Sequence, residues 1–160
     1  MIKTLVMDID GTLTDGKIYM GVSGELMKAF SIKDGYGIHD VLPEYGIIPI
    51  VITGRSSSIT ENRCQELGIS KLYQGVQDKS GQLNIILREL KFSMSEVAYI
   101  GDDLNDYSCM QMIKSSGGII ACPNNAVQKV KDIADFISTY NGGDGAVREF
   151  IEWIIEKAKA

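Results

Sequence analysis

Apolar and polar positions along this chain follow two rhythms that take turns. Short apolar runs such as Leu5-Val6-Met7 are separated by stretches in which apolar residues recur every three or four positions. The first rhythm suits buried strands and the second amphipathic helices. Strands are predicted over 4–9, 47–53, 71–74, 97–100, 118–121 and 136–138, and helices over 36–44, 57–67, 79–90, 105–114, 126–132 and 146–158. This alternation indicates an α/β fold, a mostly parallel sheet flanked by helices and joined by right-handed crossovers. The last helix carries a clear stripe of Val147, Phe150, Ile151, Ile154, Ile155 and Ala158. No repeat or low-complexity tract interrupts the pattern, so 1–160 reads as a single domain.

One segment breaks the alternation. Two β-like runs, 17–20 and 26–30, are joined through Gly21-Val22-Ser23-Gly24, which predicts a hairpin over 17–30. An isolated hairpin is only marginally stable in water. This one carries Ile18, Tyr19, Met20, Leu26, Met27 and Phe30, so it must rest on the remainder of the chain or on another subunit.

Composition narrows the function classes. Net charge is -5 with no cluster of lysine or arginine, which argues against nucleic acid and anionic membrane as partners. The longest apolar run, 47–52, is too short to span a bilayer, and the N-terminus shows no leader pattern. Three widely spaced cysteines, Cys64, Cys109 and Cys122, suit reduced thiols in a cytoplasmic protein. His39 is the one histidine, no cysteine is followed six residues later by arginine, and neither common glycine-rich nucleotide fingerprint occurs. Acid/base chemistry therefore falls most simply to aspartates.

The first strand runs into Asp8-Ile9-Asp10-Gly11-Thr12-Leu13. Residues two apart in a strand share a face, so Asp8 and Asp10 are expected to emerge together, suited to metal binding or to divided acid and base roles. An ordinary Asp-Gly turn is the alternative. In open α/β sheets ligands lie beyond the carboxyl ends of the strands. Those ends also carry Thr53-Gly54-Arg55 and Gly101-Asp102-Asp103-Leu104-Asn105-Asp106, with Asp78-Lys79 opening a helix on the same rim. Thr53 to Ser56 could equally end a strand and cap a helix, and Lys79 could be a solvated side chain. Carboxylates, a hydroxyl and cations converging on one rim make a site for a hard cation and a phosphate, for which Mg²⁺ is the natural ion.

The four pieces, D-x-D-G-T-L, a strand-end Thr, a Lys and G-D-D-x-x-D, resemble the haloacid dehalogenase superfamily. That resemblance implies a Rossmann-like fold, Asp8 as nucleophile, Asp10 as general acid and base, and Thr53 and Lys79 as phosphoryl holders. It also implies Mg²⁺ on Asp8, the backbone carbonyl of Asp10, and Asp102, supported by Asp103 or Asn105. Further segments resemble the capless 3-deoxy-D-manno-octulosonate 8-phosphate phosphatases: Asp15-Gly16-Lys17-Ile18-Tyr19-Met20, Lys33-Asp34-Gly35-Tyr36-Gly37-Ile38, Asn62-Arg63-Cys64, Leu72-Tyr73-Gln74-Gly75 and Gly142-Gly143-Asp144-Gly145-Ala146-Val147-Arg148-Glu149. This family implies a homotetramer held through the hairpin, acting on an acidic sugar phosphate of lipopolysaccharide synthesis. It implies substrate contacts from Asp10, Ser31, Ile32, Lys33, Asp34, Gly35, His39, Gly54, Arg55, Arg63, Lys79 and Arg148. Relatives carry arginine where this chain has Lys33 and His39, which bears on the sugar more than on the reaction.

Two other readings stand beside it. A phosphatase for nine-carbon nonulosonate 9-phosphates is the nearer, although glutamate tends to follow Thr-Gly there and this chain has Arg55. A receiver-like signalling domain also combines aspartates, a threonine and a lysine. The order differs, however, and an acid/base carboxylate two residues from the phosphoacceptor promotes hydrolysis rather than a lasting phosphoryl group.

Overall fold

A computed structural model describes residues 1–159. In chain order the strands are β1 (Thr4–Met7), β2 (Tyr19–Gly21), β3 (Gly24–Met27), β4 (Ile48–Ile52), β5 (Lys71–Tyr73), β6 (Val97–Ile100), β7 (Ile119–Cys122) and β8 (Phe136–Ile137). The α-helices are α1 (Ile32–Tyr36), α2 (Leu42–Glu44), α3 (Ser58–Glu66), α4 (Lys79–Leu90), α5 (Leu104–Ser115), α6 (Gln128–Lys131) and α7 (Ala146–Lys159). Six strands form one sheet in the order β5-β4-β1-β6-β7-β8, parallel throughout, while β2 and β3 form the separate antiparallel hairpin.

The sheet is covered on both faces, and period-two alternation sends neighbouring residues to opposite sides. Leu5 and Met7 pack with Val147, Phe150, Ile151 and Ile154 of α7. Val6 joins Ile50, Ile52 and Tyr99 against Leu83 and Leu87 of α4 and Met110 and Ile113 of α5. In the sheet register Met7 lies level with Val51 on one side and Ile100 on the other. The three central strands therefore stop together. Asp8, Thr53 and Asp102 leave from one rim, at the point where successive connections turn to opposite sides of β1.

The main departure from the predicted elements is the helix expected over 36–44. It begins at Ile32, capped by the Ser31 hydroxyl, which accepts from Lys33 N, and a π turn at Gly37–Val41 links α1 to α2. Gly35 and Gly37 masked this start, because glycine weakens a helix. Here close contacts require them. A Cβ on Gly35 would lie 2.5 Å from Arg63 Nη2, and one on Gly37 would lie 3.0 Å from Ile151 Cδ1. The predicted helix over 126–132 is shorter, at Gln128–Lys131.

Helix α7 is anchored from outside its own sequence neighbourhood. Asp34 is 2% exposed, and its Oδ1 accepts from Arg148 N at 2.9 Å, capping the first turn of α7 across the fold. The loop before α7 crosses the turn that follows β1: Gly143 N donates to Thr12 O at 3.0 Å. A Cβ on Gly142 would meet Gly11 O at 1.9 Å. The apolar stripe of the last helix thus fixes a glycine loop directly against the turn that carries Asp10.

Burial pushes the Asp34 carboxyl up to about 6 from 3.8, with the N–H groups of the first α7 turn opposing the shift. The native state therefore binds that proton more tightly than the unfolded chain, so Asp34 weakens the fold as pH rises from about 4 through 6. Asparagine cannot titrate. Urea unfolding from pH 4 to pH 7 is expected to show Asp34→Asn gaining on wild type by about 1 kcal/mol or more. A difference that stays flat across this range would contradict the assignment.

Candidate active site

The site is built around a lysine with almost no access to water. Asp78 caps α4, accepting from Gly81 N at 2.9 Å, and so sets Lys79 in the first helical position. The Lys79 side chain is 1% exposed, and its Nζ lies 2.9 Å from Asp8 Oδ1 and 2.8 Å from Asp106 Oδ1. Burial works to strip its proton, yet Asp106 and Asp8 outweigh that and hold the ammonium above the ordinary lysine range. An ammonium has three donors. Two are directed at carboxylates, leaving one uncommitted.

The three aspartates of Gly101-Asp102-Asp103-Leu104-Asn105-Asp106 divide the work. Asp103 is the N-cap of α5, and its Oδ1 accepts from Leu104 N at 2.7 Å. Asp106 is fully buried and saturated: Oδ1 takes Lys79 and the Tyr99 hydroxyl at 2.7 Å, and Oδ2 takes the N–H groups of Asp102 and Asp103 at 3.0 and 3.3 Å. Asp102 turns toward Asp8, and its buried Oδ1 has no hydrogen-bond partner among the described residues.

Oxygens of Asp8, Asp102 and Asp106 lie within 4.8 Å of one another. Burial first, then the neighbouring negative charge, pushes the carboxyls of Asp8 and Asp102 upward; Lys79 opposes this in both. Three carboxylates share one ammonium, so the centre is short of positive charge. A divalent cation fits this shortage. The saturated oxygens of Asp106 leave Asp8 and Asp102 as the residues that could hold it, and the unpartnered Asp102 Oδ1 has a lone pair to offer. Gly11 belongs to the same cradle, since a Cβ there would lie 2.0 Å from Asp102 Oδ2.

Asp8 and Asp10 do not emerge side by side. The strand ends at Met7, and Ile9 O accepts from Thr12, Leu13 and Thr14 N in a tight turn that parts the two carboxylates. Asp8 points to Lys79, whereas Asp10 pairs with Lys28 of the hairpin at 2.6 Å. Both still line one cavity of about 440 Å³ with Gly16, Ile18, Thr53, Gly54, Arg55, Asp102, Asp103 and Asn105. Thr53, 2% exposed, holds its place through Thr53 N to Tyr73 O at 2.9 Å.

The remaining expected contacts lie elsewhere. Ser31, Ile32, Lys33, Asp34, Gly35, His39, Arg63 and Arg148 are absent from the lining of that cavity, and Lys79 borders it only through its contact with Asp8. Ser31 and Asp34 cap helices, and His39 is exposed beside Asp40. Arg63 is largely covered, donating to Ser31 O at 3.4 Å and pairing with Glu66. Arg148 stacks over Tyr36 and pairs with Glu152. Sequence reasoning did not assign Asp106, Tyr99, Lys28 or Glu25. Asp106 sits four positions after Asp102, one helical turn on, which was a usable signal; Lys28 and Glu25 carried none.

A family model for haloacid dehalogenase-like hydrolases matches residues 68–151. The chain is 40% identical over 154 residues to the 3-deoxy-D-manno-octulosonate 8-phosphate phosphatase of Escherichia coli K12, covering 96% of this chain and 79% of the relative. It belongs to the 3-deoxy-D-manno-octulosonate 8-phosphate phosphatase family. The same phosphatase from Moraxella catarrhalis, solved with a magnesium ion, a phosphate ion and KDO, superposes with a TM-score of 0.89 at 40% identity, over 97% of this chain and 86% of that one. The cobalt-bound enzyme from Haemophilus influenzae gives 0.89 at 32% identity, over 97% and 88%. Membership of this phosphatase family removes the receiver-like alternative.

Asp106→Ala would strip Lys79 of one counter-charge and leave the Tyr99 hydroxyl and two N–H groups without an acceptor. Urea unfolding is expected to show a loss of about 3–5 kcal/mol with the m-value unchanged. A loss below about 1 kcal/mol would contradict a central role for this carboxylate.

Proposed function

We propose that this chain is a Mg²⁺-dependent phosphatase releasing inorganic phosphate from 3-deoxy-D-manno-octulosonate 8-phosphate. The observation that carries the reading is Asp8, held by Lys79 beside the unpartnered oxygen of Asp102, in a member of this family. Asp8, Asp102 and the backbone carbonyl of Asp10 would hold the ion, which when bound supplies the positive charge that lets a carboxylate approach a phosphate dianion.

The chain's own residues do the rest. Lys79 opposes the upward push that burial gives the Asp8 carboxyl and offers a donor to the phosphoryl oxygens, and the buried Thr53 offers a hydroxyl on the same side. A carboxylate oxygen of Asp8 attacks phosphorus, and the bond to the sugar oxygen breaks. Asp10 gives that departing oxygen its proton. A water then attacks the aspartyl-phosphate, Asp10 takes the water's proton, and phosphate leaves with Asp8 restored. Gly54 and Arg55 line the entrance, and Arg55 meets the acidic end of the sugar.

Ser31, Ile32, Lys33, Asp34, Gly35, His39, Arg63 and Arg148 belong in this reading to sites completed between subunits. We infer a homotetramer joined through the hairpin, whose Ile18, Met20, Val22, Leu26 and Met27 stay exposed in the single chain. The whole chain acts as one domain with residues 17–30 as its flap. No helix among the described residues is long and apolar enough to cross a membrane, and the three cysteines are buried and unpaired. The reduced cysteines support action in the cytoplasm, and a net charge of -5 with no basic cluster supports a small acidic sugar phosphate, rather than nucleic acid or an anionic membrane, as the partner.

The test is phosphate release from a panel of eight- and nine-carbon acidic sugar phosphates, with the oligomer sized by sedimentation. Turnover should favour the eight-carbon 8-phosphate, vanish with EDTA and return with Mg²⁺, and the protein should sediment as a tetramer. Asp8→Asn should remove essentially all activity. Unchanged turnover in that variant would overturn the mechanism, and preference for a nine-carbon 9-phosphate would overturn the substrate.

A further inference from the structure

Outside the Lys79 centre, charge concentrates in a row running from the turn after β1 to the hairpin: Asp10, Lys28, Glu25, Arg55. Lys28 Nζ lies 2.6 Å from Asp10 Oδ1 and 3.0 Å from Glu25 Oε2, with its side chain 3% exposed. Glu25 also accepts from the Ser57 hydroxyl at 2.9 Å and lies 3.4 Å from Arg55 Nη2. A lysine on a small surface hairpin ordinarily extends its ammonium into water. This one is turned inward, although the apolar side chains of the hairpin remain exposed. Within one chain, polar contacts rather than apolar burial therefore hold the hairpin over the cavity.

Asp10 needs such a hold. It sits beyond the end of β1 on the turn, with its side chain 30% exposed, and among the described residues its carboxylate is paired with Lys28. We propose that Lys28 is a positioning residue for the reaction: from the hairpin it holds Oδ1 of the Asp10 carboxyl, so that Oδ2 carries the proton to the leaving oxygen, and Glu25 in turn fixes Lys28. The proposal rests on the phosphatase reading above. A proton donor acts only within hydrogen-bond reach of its target, and a displacement of about 1 Å can lower a rate about 100-fold. Burial works against the Lys28 charge, yet its bonds to Asp10 and Glu25 more than offset this and hold the ammonium above the ordinary lysine range.

The leaving group separates this role from a merely structural one. A sugar alkoxide departs only with a proton from Asp10, whereas 4-nitrophenolate departs without one. Lys28→Met keeps the aliphatic stem and removes the charge. Its kcat/KM, measured with saturating Mg²⁺, should fall about 30- to 100-fold on the sugar phosphate and less than about threefold on 4-nitrophenyl phosphate. Lys28→Arg should recover most of the loss, and Glu25→Gln should show the same skew more weakly. If Lys28→Met does not fold, Lys28→Gln and Glu25→Gln carry the comparison. Equal losses on both esters, or none on either, would overturn the proposal. Wild-type protein that cleaves neither ester would overturn the phosphatase reading, and this proposal with it.

Discussion

The structure depends on one buried ammonium shared between two carboxylates. Lys79 joins Asp8 at the end of β1 to Asp106 on α5, and so ties three separate stretches of chain together at the centre of the sheet rim. Removing Lys79 would leave two buried carboxylates without a counter-charge, which proteins tolerate poorly. The surrounding bonds follow from this. Asp106 has every oxygen committed, so it holds Lys79 and the Asp102 loop instead of taking part in binding. In the reading proposed above, Asp8 supplies an oxygen for chemistry and the unpartnered Oδ1 of Asp102 one for a cation.

The charge balance explains why the centre is prepared rather than self-sufficient. A fully compensated cluster would be more stable but would have nothing to offer a ligand. Here negative charge exceeds positive charge in a largely buried region, where electrostatic interactions are stronger than in water. The same feature that raises the proton affinity of Asp8 and Asp102 favours a divalent ion and disfavours an anion arriving alone. Parallel strands ending at one level bring these groups together. The geometry is a property of the sheet register before it is a property of any single loop.

Much of this was legible in the sequence because it is local. Strands such as Val97–Ile100 and helices such as Lys79–Leu90 announce themselves by apolar period, and Asp8, Thr53, Lys79 and Asp102 follow from where those elements stop. What was not legible depends on contacts distant in sequence. The start of α1 was hidden by glycines whose purpose appears only when Arg63 and Ile151 lie against them. Asp8 and Asp10 were expected on one face, but the strand ends one residue too early for its alternation to govern them. Asp106 was visible as one of a cluster, while its separate task required Tyr99 and Lys79 to be in place. The pairing of Lys28 with Asp10 spans 18 positions and a hairpin fold that no local pattern encodes.

The central claim is that one lysine and one divalent ion together make the Asp8 carboxylate usable. A crystal structure of the protein with Mg²⁺ and a trigonal phosphoryl mimic tests it most directly. The expected result is an ion about 2.0–2.1 Å from oxygens of Asp8 and Asp102, with Lys79 touching the mimic and Asp106 keeping its four donors. An ion seated on Asp106 with Lys79 displaced, or a mimic bound away from Asp8, would contradict it.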